Sequence, residues 1–226
     1  PGVERPALAA LLPTEKNPVV VLDAGANVDC RPYHLFQFGL MGDAFARDLL
    51  GYAAPRVSLL SIGEEEGKGN SQVKEAYELL KLAQNLNFVG NAEGRDIFTG
   101  DIDVVVCDGF VGNVVVKMSE GLASALVRML KRLFTSGFLP ALGGMLAKGA
   151  FKKFATTIDY AEYGGAPLLG LQGLATAVPA PAPCRTPSRW PAPSYARAPT
   201  TVLPKPSWPT RNSPASHAPF KPRVSL

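Results

Sequence analysis

The sequence predicts an α/β fold with a mostly parallel β-sheet, on three observations. Short apolar runs typical of buried strands recur along the first half of the chain. Segments with the spacing of amphipathic helices separate most of these runs, and each run is followed by a loop rich in glycine and acidic residues. Strands that alternate with helices form a parallel sheet covered on both faces.

The elements follow from these patterns in chain order. The predicted strands are Val19–Leu22, Val57–Ile62, Asn87–Val89 and Val104–Val106. The predicted helices are Pro32–Leu50, Ser71–Gln84 and Val111–Leu133, and the link "NAEGRDIFTGD" is predicted as a loop. Because parallel strands end at one edge of a sheet, the loops that follow them are expected to form a ligand site there.

Charge divides the chain into two parts. Residues 1–173 hold 16 of the 23 basic and all 19 acidic side chains, a net charge of −3, although the whole chain carries +4. A basic surface that binds nucleic acid is therefore excluded for the predicted domain, residues 1–173.

The predicted tail, residues 174–226, has a different composition. Its 53 residues contain 13 of the 21 prolines, seven lysines or arginines and no acidic residue. One interpretation is a proline-rich disordered segment, and the other is a stretch read out of frame, which interrupts the domain. Either interpretation predicts no regular structure there.

Cysteine and histidine usage indicates neither a disulfide framework nor a zinc cluster. The three cysteines have no paired spacing and the two histidines lie far apart, which favours a reducing cytoplasm. No signal peptide opens the chain and no run of about 18 apolar residues predicts a transmembrane helix. Because the first residue is Pro1, the chain is expected to start inside a longer one.

The stretch "VVVCDGFVGNVVVK" holds the most informative loop. Gly109 and Gly112 permit a close approach of the backbone to a ligand, and the loop opens a helix whose unpaired N–H groups favour an anion. Lys117 follows Asn113 by one turn on the same helical face, so we expect a phosphate here. The alternative interpretation is a tight turn with glycines chosen for geometry alone. Signatures of NAD and ATP sites are absent, since no G-x-G-x-x-G follows a strand and "GEEEGKGN" lacks the P-loop spacing.

An apolar segment follows the third helix. Residues 133–147 are uncharged and are flanked by lysines and arginines, a pattern typical of a helical hairpin whose tip enters the lipid headgroup region. Residues 133–154 are therefore predicted to contact a membrane surface. The alternative is a helix–loop–helix packed on the body or on a second subunit.

Five stretches together carry a family resemblance: "LDAGANVDCRP", "IGEEEGKGN", "FVGNAEGRDI", "VVVCDGFVGNVVVKMSEG" and "DYAEYGGAPLLG". In this order they resemble the PlsX phosphate acyltransferases. The resemblance implies a three-layer α/β/α sandwich like that of isopropylmalate dehydrogenases, and a cytoplasmic homodimer bound peripherally to the membrane. It also implies the reaction of acyl-[acyl-carrier-protein] with inorganic phosphate, which gives acyl phosphate and needs no cofactor.

The residues of the four loops suit that reaction, because a thioester is already activated and the protein has to hold phosphate and stabilise an oxyanion. The expected phosphate cradle is formed by Lys68, Arg95 and Lys117. Direct attack by phosphate is preferred over a cysteine nucleophile, with Cys107 predicted to be a buried apolar residue. The predicted catalytic residues are Asn27, Glu64, Lys68, Asp108, Asn113 and Lys117. The predicted substrate- and phosphate-binding residues are Asp23, Gly25, Glu65, Arg95, Gly109 and Gly112, and no metal ligands are predicted.

Two departures from the family qualify this expectation. Members begin well before this sequence does, and the text after "GAPLLGLQG" departs from the expected last strand and helix. The chain by itself is therefore expected to be a poor catalyst. A non-catalytic fragment that binds acyl carrier protein or membrane is the alternative, and a dehydrogenase of the isopropylmalate type is a weaker one, because no metal-binding aspartate set is found.

Overall fold

The structure is a computed structural model that describes residues 2–151, 166–171 and 175–177, the last three by their backbone alone. Contacts divide the chain into two units, Val3–Pro193 and a second that joins Pro1–Gly2 to Ser194–Leu226. All described residues except Gly2 belong to the first unit, and the account below concerns that unit.

Seven strands and four helices form the described part of this unit. The strands are β1 Ala7–Leu12, β2 Val19–Leu22, β3 Val57–Leu60, β4 Phe88–Ala92, β5 Val104–Val106, β6 Ala166–Leu169 and β7 Ala175–Ala177. The helices are α1 Pro32–Leu50, α2 Ser71–Lys81, α3 Gly109–Phe134 and α4 Phe138–Leu146, with a short 3₁₀ turn at Asp96–Phe98.

The strands form one sheet in the order β4-β3-β5-β2-β1-β6-β7. The pairs β4–β3, β3–β5 and β5–β2 are parallel, whereas β2–β1, β1–β6 and β6–β7 are antiparallel. The α/β class is confirmed, but the sheet is mixed rather than mostly parallel. The four loops that follow β2, β3, β4 and β5 lie at one edge, because these strands are parallel neighbours.

The predicted elements agree best where burial and period are unambiguous. Strands β2 and β5 and helix α1 have the predicted bounds. The helix predicted at Ser71–Gln84 ends at Lys81, and the strand predicted at Asn87–Val89 extends to Ala92. The predicted loop "NAEGRDIFTGD" thus begins inside β4 and contains the 3₁₀ turn.

Three strands, β1, β6 and β7, were not predicted. Strand β1 reads "ALAALL", and its alanines and leucines lack the β-branched signature of a strand. Ala7 and Ala9 are nevertheless fully buried, since β1 lies between β2 and β6. Strand β7 lies beyond residue 173, the predicted end of the domain, so the sheet continues past that boundary. The remainder of the predicted tail lies outside the described residues.

The sheet buries different side chains on its two faces. Alternate residues such as Val20, Leu22 and Val104 pack in one core cluster with side chains from α1 and α2. Their neighbours Val21 and Val105 belong to a second cluster that includes Ile97 of the 3₁₀ turn and is joined by side chains of α3. Helical and turn residues therefore cover both faces of the central strands.

Helices α3 and α4 expose most of their apolar surface. On α3 the exposed residues recur every three or four positions and include Met118, Leu122 and Leu126, and on α4 Phe138 is 84% exposed. By length and composition α3 could cross a membrane. The sequence analysis predicted this helix at Val111–Leu133 as amphipathic and predicted no transmembrane helix. Its first turn packs against the body, so its apolar stripe is a candidate contact surface.

Candidate functional site

The loop after β2 is organised by a buried carboxylate. Asp23 Oδ1 accepts hydrogen bonds from the backbone N–H groups of Leu8, Gly25 and Ala26 at 2.9–3.1 Å. Its Oδ2 accepts from the backbone N–H and the side-chain Nδ2 of Asn27 at 2.7 and 2.8 Å. Five donors therefore satisfy a carboxylate with no exposed surface, and its role here is to shape the loop.

Asn27 is used in the same way. Its Nδ2 donates to the carbonyl of Pro6 at 2.7 Å as well as to Asp23, so both amide hydrogens are occupied. The backbone oxygen of Asn27 accepts from the N–H of Gly109 at 2.7 Å. Asn27 was predicted to be catalytic, and the role open to its amide is donation to an oxyanion. That role does not fit this geometry, because both amide hydrogens are already bonded.

The N-terminus of α3 is also largely satisfied from within the chain. Asp108 is its N-cap, and Asp108 Oδ1 accepts from the N–H of Val111 at 2.8 Å. With the N–H of Gly109 bonded to Asn27, two of the first three N–H groups of α3 already have acceptors. Asp108 is therefore a helix cap, which leaves little of this helix end for an anion.

Gly109 and Gly112 have no room for a side chain, because the backbone of the loop after β2 packs against both. A Cβ at Gly112 would lie 1.9 Å from the backbone oxygen of Asp23, and one at Gly109 would lie 2.7 Å from the oxygen of Asn27. The space that the sequence analysis assigned to phosphate is filled by the loop after β2. The alternative interpretation, glycines chosen for geometry, describes both positions.

Gly25 and Asn113 meet at the rim of this region. A Cβ at Gly25 would lie 3.5–3.7 Å from the side chain of Asn113, and Asn113 itself is exposed. Lys117, one turn further along α3, has its ammonium 3.2 Å from Glu120. The predicted pair of Asn113 and Lys117 is therefore solvent-accessible, but the lysine already has an acidic partner.

The loop after β3 carries exposed charges. Glu64, Glu65 and Lys68 are all exposed, and the Lys68 N–H donates to the carbonyl of Glu65 at 3.0 Å. Around Gly63, a Cβ would lie 2.8 Å from Glu65 Oε2 and 3.0 Å from Lys68 Cγ, so both side chains lie over this glycine. Among the described residues no carboxylate lies within 4.0 Å of Lys68 Nζ. Lys68 thus remains available to an anionic ligand.

Arg95, in the loop after β4, contacts three carboxylates. Its guanidinium lies 3.1 Å from Glu93, 3.4 Å from Glu64 and 3.7 Å from Asp96. The contact with Glu64 links the loops after β3 and β4. Of the three predicted phosphate-binding cations, Arg95 and Lys117 have carboxylate partners, and Lys68 is the one without such a partner in the described part.

Three polar residues around the loops after β3 and β4 were not predicted as site residues. Ser61, Gln72 and Asn91 each hold a buried polar atom that has no hydrogen-bond partner. Asn91 Nδ2 donates to the carbonyl of Glu65 at 2.8 Å, which brings β4 against the loop after β3. Ser61 directly follows β3 and Asn91 lies near the end of β4, positions from which a ligand-facing role could have been inferred.

The cysteines near the site are poor nucleophiles. Burial raises the pKa of Cys107 well above its usual value, and burial also raises the pKa of Cys30 to about 11. Both thiols are therefore protonated at neutral pH, and Cys107 is buried at a strand end as predicted. The described residues contain no group of three or more His, Cys, Asp or Glu placed to hold a metal ion.

Comparison with known proteins supplies the family. The sequence profile of the family described as fatty acid synthesis protein matches residues 1–178. The chain is 74% identical over 175 residues to a phosphate acyltransferase of Nitratidesulfovibrio vulgaris, which covers 77% of this chain and 51% of the relative. It is 70% identical over 174 residues to a phosphate acyltransferase of Lawsonia intracellularis, covering 76% and 50%.

The chain thus spans about half the length of the curated relatives it matches. Among solved structures, a EutD phosphotransacetylase from Staphylococcus aureus is 18% identical with a TM-score of 0.47, over 55% of this chain and 44% of that one. A likeness at this level carries no argument about function. The profile match covers well over half of the chain, and it includes all four loops of the site. The chain belongs to the fatty acid synthesis protein family, the PlsX phosphate acyltransferases.

Proposed function

We propose that the whole protein transfers an acyl group from a thioester on acyl carrier protein to inorganic phosphate, for phospholipid synthesis. The observation that carries this proposal is the 74% identity to a protein named phosphate acyltransferase. The site supports it, because Lys68 has no carboxylate partner in the described part of the chain and can face an anion. The raised pKa values of Cys30 and Cys107 disfavour a cysteine nucleophile, which leaves direct attack by phosphate.

The chemistry balances without a protein nucleophile. An oxygen of hydrogen phosphate attacks the thioester carbonyl carbon, the C–S bond breaks, and a C–O–P linkage forms. The departing sulfur needs one proton, and hydrogen phosphate carries one. The protein's task is to hold phosphate against its negative charge and to stabilise the oxyanion, for which Lys68 is the available cation.

The direct test completes the chain with the part of the Nitratidesulfovibrio vulgaris relative that it does not span. It supplies this protein with a long-chain acyl thioester of acyl carrier protein and inorganic phosphate, and measures acyl phosphate as its hydroxamate. The full-length relative from Nitratidesulfovibrio vulgaris is the positive control. Acyl phosphate formation that requires phosphate is the expected result. If the thioester is only bound, by a chain that makes no product while the control does, the alternative of a non-catalytic binding fragment is correct.

The finer architecture and location belong to the same proposal. We propose for the whole protein the three-layer α/β/α sandwich of isopropylmalate dehydrogenases, as a homodimer at the cytoplasmic face of the membrane. The two described cysteines are free, as in a reducing compartment. The exposed stripe of α3 supports a contact with a second copy, and the exposed apolar residues of α4 support a contact with lipid.

Two double variants separate these contacts. Met118→Asp with Leu122→Asp, on α3, is expected to abolish the dimer in sedimentation velocity. Phe138→Asp with Leu139→Asp, on α4, is expected to abolish flotation with vesicles that contain phosphatidylglycerol while leaving the dimer intact. Loss of the dimer in the α4 variant would instead assign α4 to the subunit contact.

A further inference from the structure

Three buried side-chain atoms in the described part of the chain lack a hydrogen-bond partner, and all three adjoin one loop. They are Ser61 Oγ, Gln72 Nε2 and Asn91 Oδ1. Ser61 begins the loop that follows β3, Gln72 lies in the first turn of α2 at the end of that loop, and Asn91 lies in the neighbouring strand β4. Buried polar groups are nearly always bonded, so three exceptions around one loop indicate a missing partner.

The side chains of Ser61 and Asn91 face this loop. Ser61 Oγ lies 3.0 Å from the position of a Cβ on Gly69, so the hydroxyl points toward the turn that enters α2. Asn91, 8% exposed, donates its Nδ2 to the carbonyl of Glu65 in the same loop. A hydrogen bond from the N–H of Ser61 to the carbonyl of Ala92 holds the two strand ends together.

The three atoms specify the chemistry of the partner. Gln72 Nε2 can only donate, Asn91 Oδ1 can only accept, and the hydroxyl of Ser61 can do both. The loop adds the unpaired ammonium of Lys68 and the positive end of the α2 dipole. A small anion with acceptor oxygens and one hydroxyl proton meets all of these demands.

Hydrogen phosphate is such an anion, and sulfate is not. The two ions have the same tetrahedral shape, but sulfate carries no proton at neutral pH. The unbonded amide oxygen of Asn91 would accept a hydrogen bond from the hydroxyl group of hydrogen phosphate, whereas against sulfate it would face a lone pair. A buried acceptor therefore discriminates between the ions by leaving one of them with an unfavourable contact.

We propose that the loop after β3 and the first turn of α2, from Ser61 to Gln72, form the phosphate subsite together with Asn91, and that Asn91 Oδ1 selects hydrogen phosphate by accepting a hydrogen bond from its hydroxyl group. This rests on the proposed function, of which it names the phosphate-binding half. It places phosphate between the loops after β3 and β4, and away from the N-terminus of α3.

The test is equilibrium dialysis of the purified protein against radiolabelled inorganic phosphate, and separately against radiolabelled sulfate, without any acyl donor. The variants are Asn91→Ala, Ser61→Ala and Gln72→Ala. Asn87→Ala is the matched control, because Asn87 is an exposed asparagine just before β4 that bonds the carbonyl of Ala54.

The wild type is expected to prefer phosphate to sulfate by at least about tenfold. Asn91→Ala removes both the hydrogen bond to phosphate and the unfavourable contact with sulfate, so phosphate binding is expected to weaken, sulfate binding is expected to be no weaker than in the wild type, and the preference is expected to disappear. Ser61→Ala and Gln72→Ala are expected to weaken the binding of both ions several-fold. Asn87→Ala is expected to behave like the wild type.

Equal affinity of the wild type for both ions, or unchanged phosphate affinity in all three variants, overturns the proposal. Unchanged affinity combined with lower stability would mean that ordered water fills the three positions. Should Asn91→Ala fail to fold, Ser61→Ala and Gln72→Ala still test the position of the subsite, and the preference of the wild type for phosphate over sulfate tests its selectivity. Phosphate binding that depends on these residues without acyl phosphate formation would support the subsite and defeat the proposed function, and the reverse result would do the opposite.

Discussion

The two pairs of loops at the same edge of the sheet differ in how completely their polar groups are satisfied. After β2 and β5, the carboxylate of Asp23 accepts five hydrogen bonds, and both amide hydrogens of Asn27 are donated. After β3 and β4, polar atoms of Ser61 and Asn91 are buried without partners, and Lys68 has no carboxylate partner in the described part.

This difference separates residues that fix the shape of the site from residues that are available to bind a ligand. A network in which every donor and acceptor is bonded fixes a backbone shape but offers nothing to a ligand. Unsatisfied groups are costly to keep, so their persistence at one place is a sign of binding. Glycine and acidic loops of similar appearance in the sequence therefore have different roles in the structure.

The largest expected effect comes from Gly112, where the loops after β2 and β5 touch. These two are the braced loops, because hydrogen bonds within the chain fix their shape. Gly112→Ala places a Cβ 1.9 Å from a backbone oxygen that cannot move without breaking the Asp23 network, and we expect a loss of at least about 3 kcal/mol or failure to fold. Urea denaturation measures it. Gly121→Ala, on the same helix with nothing within 4 Å, should instead raise stability by up to about 1 kcal/mol.

If Gly112→Ala is as stable as the wild type, the braced pair of loops is open enough to admit a ligand. The contrast between the two pairs of loops would then be lost, and the phosphate assignment of Gly112 would be restored.

A smaller loss is expected from Asp23→Asn. The substituted amide turns a donor toward backbone N–H groups that the carboxylate accepted, so at least one of them stays unbonded, at a cost of about 2–3 kcal/mol. Thermal unfolding measures the stability, and phosphate dialysis is the control. A folded Asp23→Asn protein should bind phosphate like the wild type, whereas weaker binding would place Asp23 in the site itself.

The sequence predicts that the four loops lie at one edge of the sheet. It does not predict which of them bind a ligand and which only shape the site. The strands Val19–Leu22 and Val104–Val106 are clear in the sequence, because a continuous run of valines is typical of a strand buried on both faces. Strand β1 was missed because its alanines carry no strand signal and its burial comes from two neighbours distant in the chain.

The site shows the same limit at the level of single groups. Asp23 and Lys68 are both plausible ligand-binding residues by type and position. Only three-dimensional contacts show that the Asp23 carboxylate is fully bonded, whereas Lys68 has no carboxylate partner among the described residues. Asn91 lies in the stretch "FVGNAEGRDI" but was not predicted as a site residue. The sequence of an amide residue does not show which of its side-chain atoms lacks a hydrogen-bond partner.

Replacing Lys68 or Lys117 tests which of the two pairs of loops binds phosphate. Lys68→Ala is expected to weaken phosphate binding about 10- to 100-fold, since a charge-assisted hydrogen bond is worth roughly 1.5–3 kcal/mol. Lys117→Ala removes the same charge from α3, where Glu120 already neutralises it, and should change the affinity less than threefold or so. Equilibrium dialysis with phosphate compares them. A larger effect at Lys117 would return the phosphate to the start of α3.

The smallest expected effect concerns Cys30, which bonds the carbonyl of Asn27 in the braced region. Burial raises the pKa of Cys30 to about 11, so at pH 8 about one thiol in a thousand is ionised, against roughly a quarter for a free cysteine. The higher intrinsic reactivity of a more basic thiolate offsets part of this, which leaves alkylation about tenfold slower than for a free thiol.

Iodoacetamide labelling of a protein with Cys107→Ala and Cys184→Ser measures this rate for Cys30 alone. The rate should rise about tenfold for each pH unit between 8 and 10, because the thiolate fraction does so below the raised pKa. In guanidinium chloride the rate should reach that of a free cysteine. Labelling of the folded protein at the free-thiol rate at pH 8 would show a reactive thiolate in the braced region, and a covalent acyl-cysteine route would then compete with direct attack by phosphate.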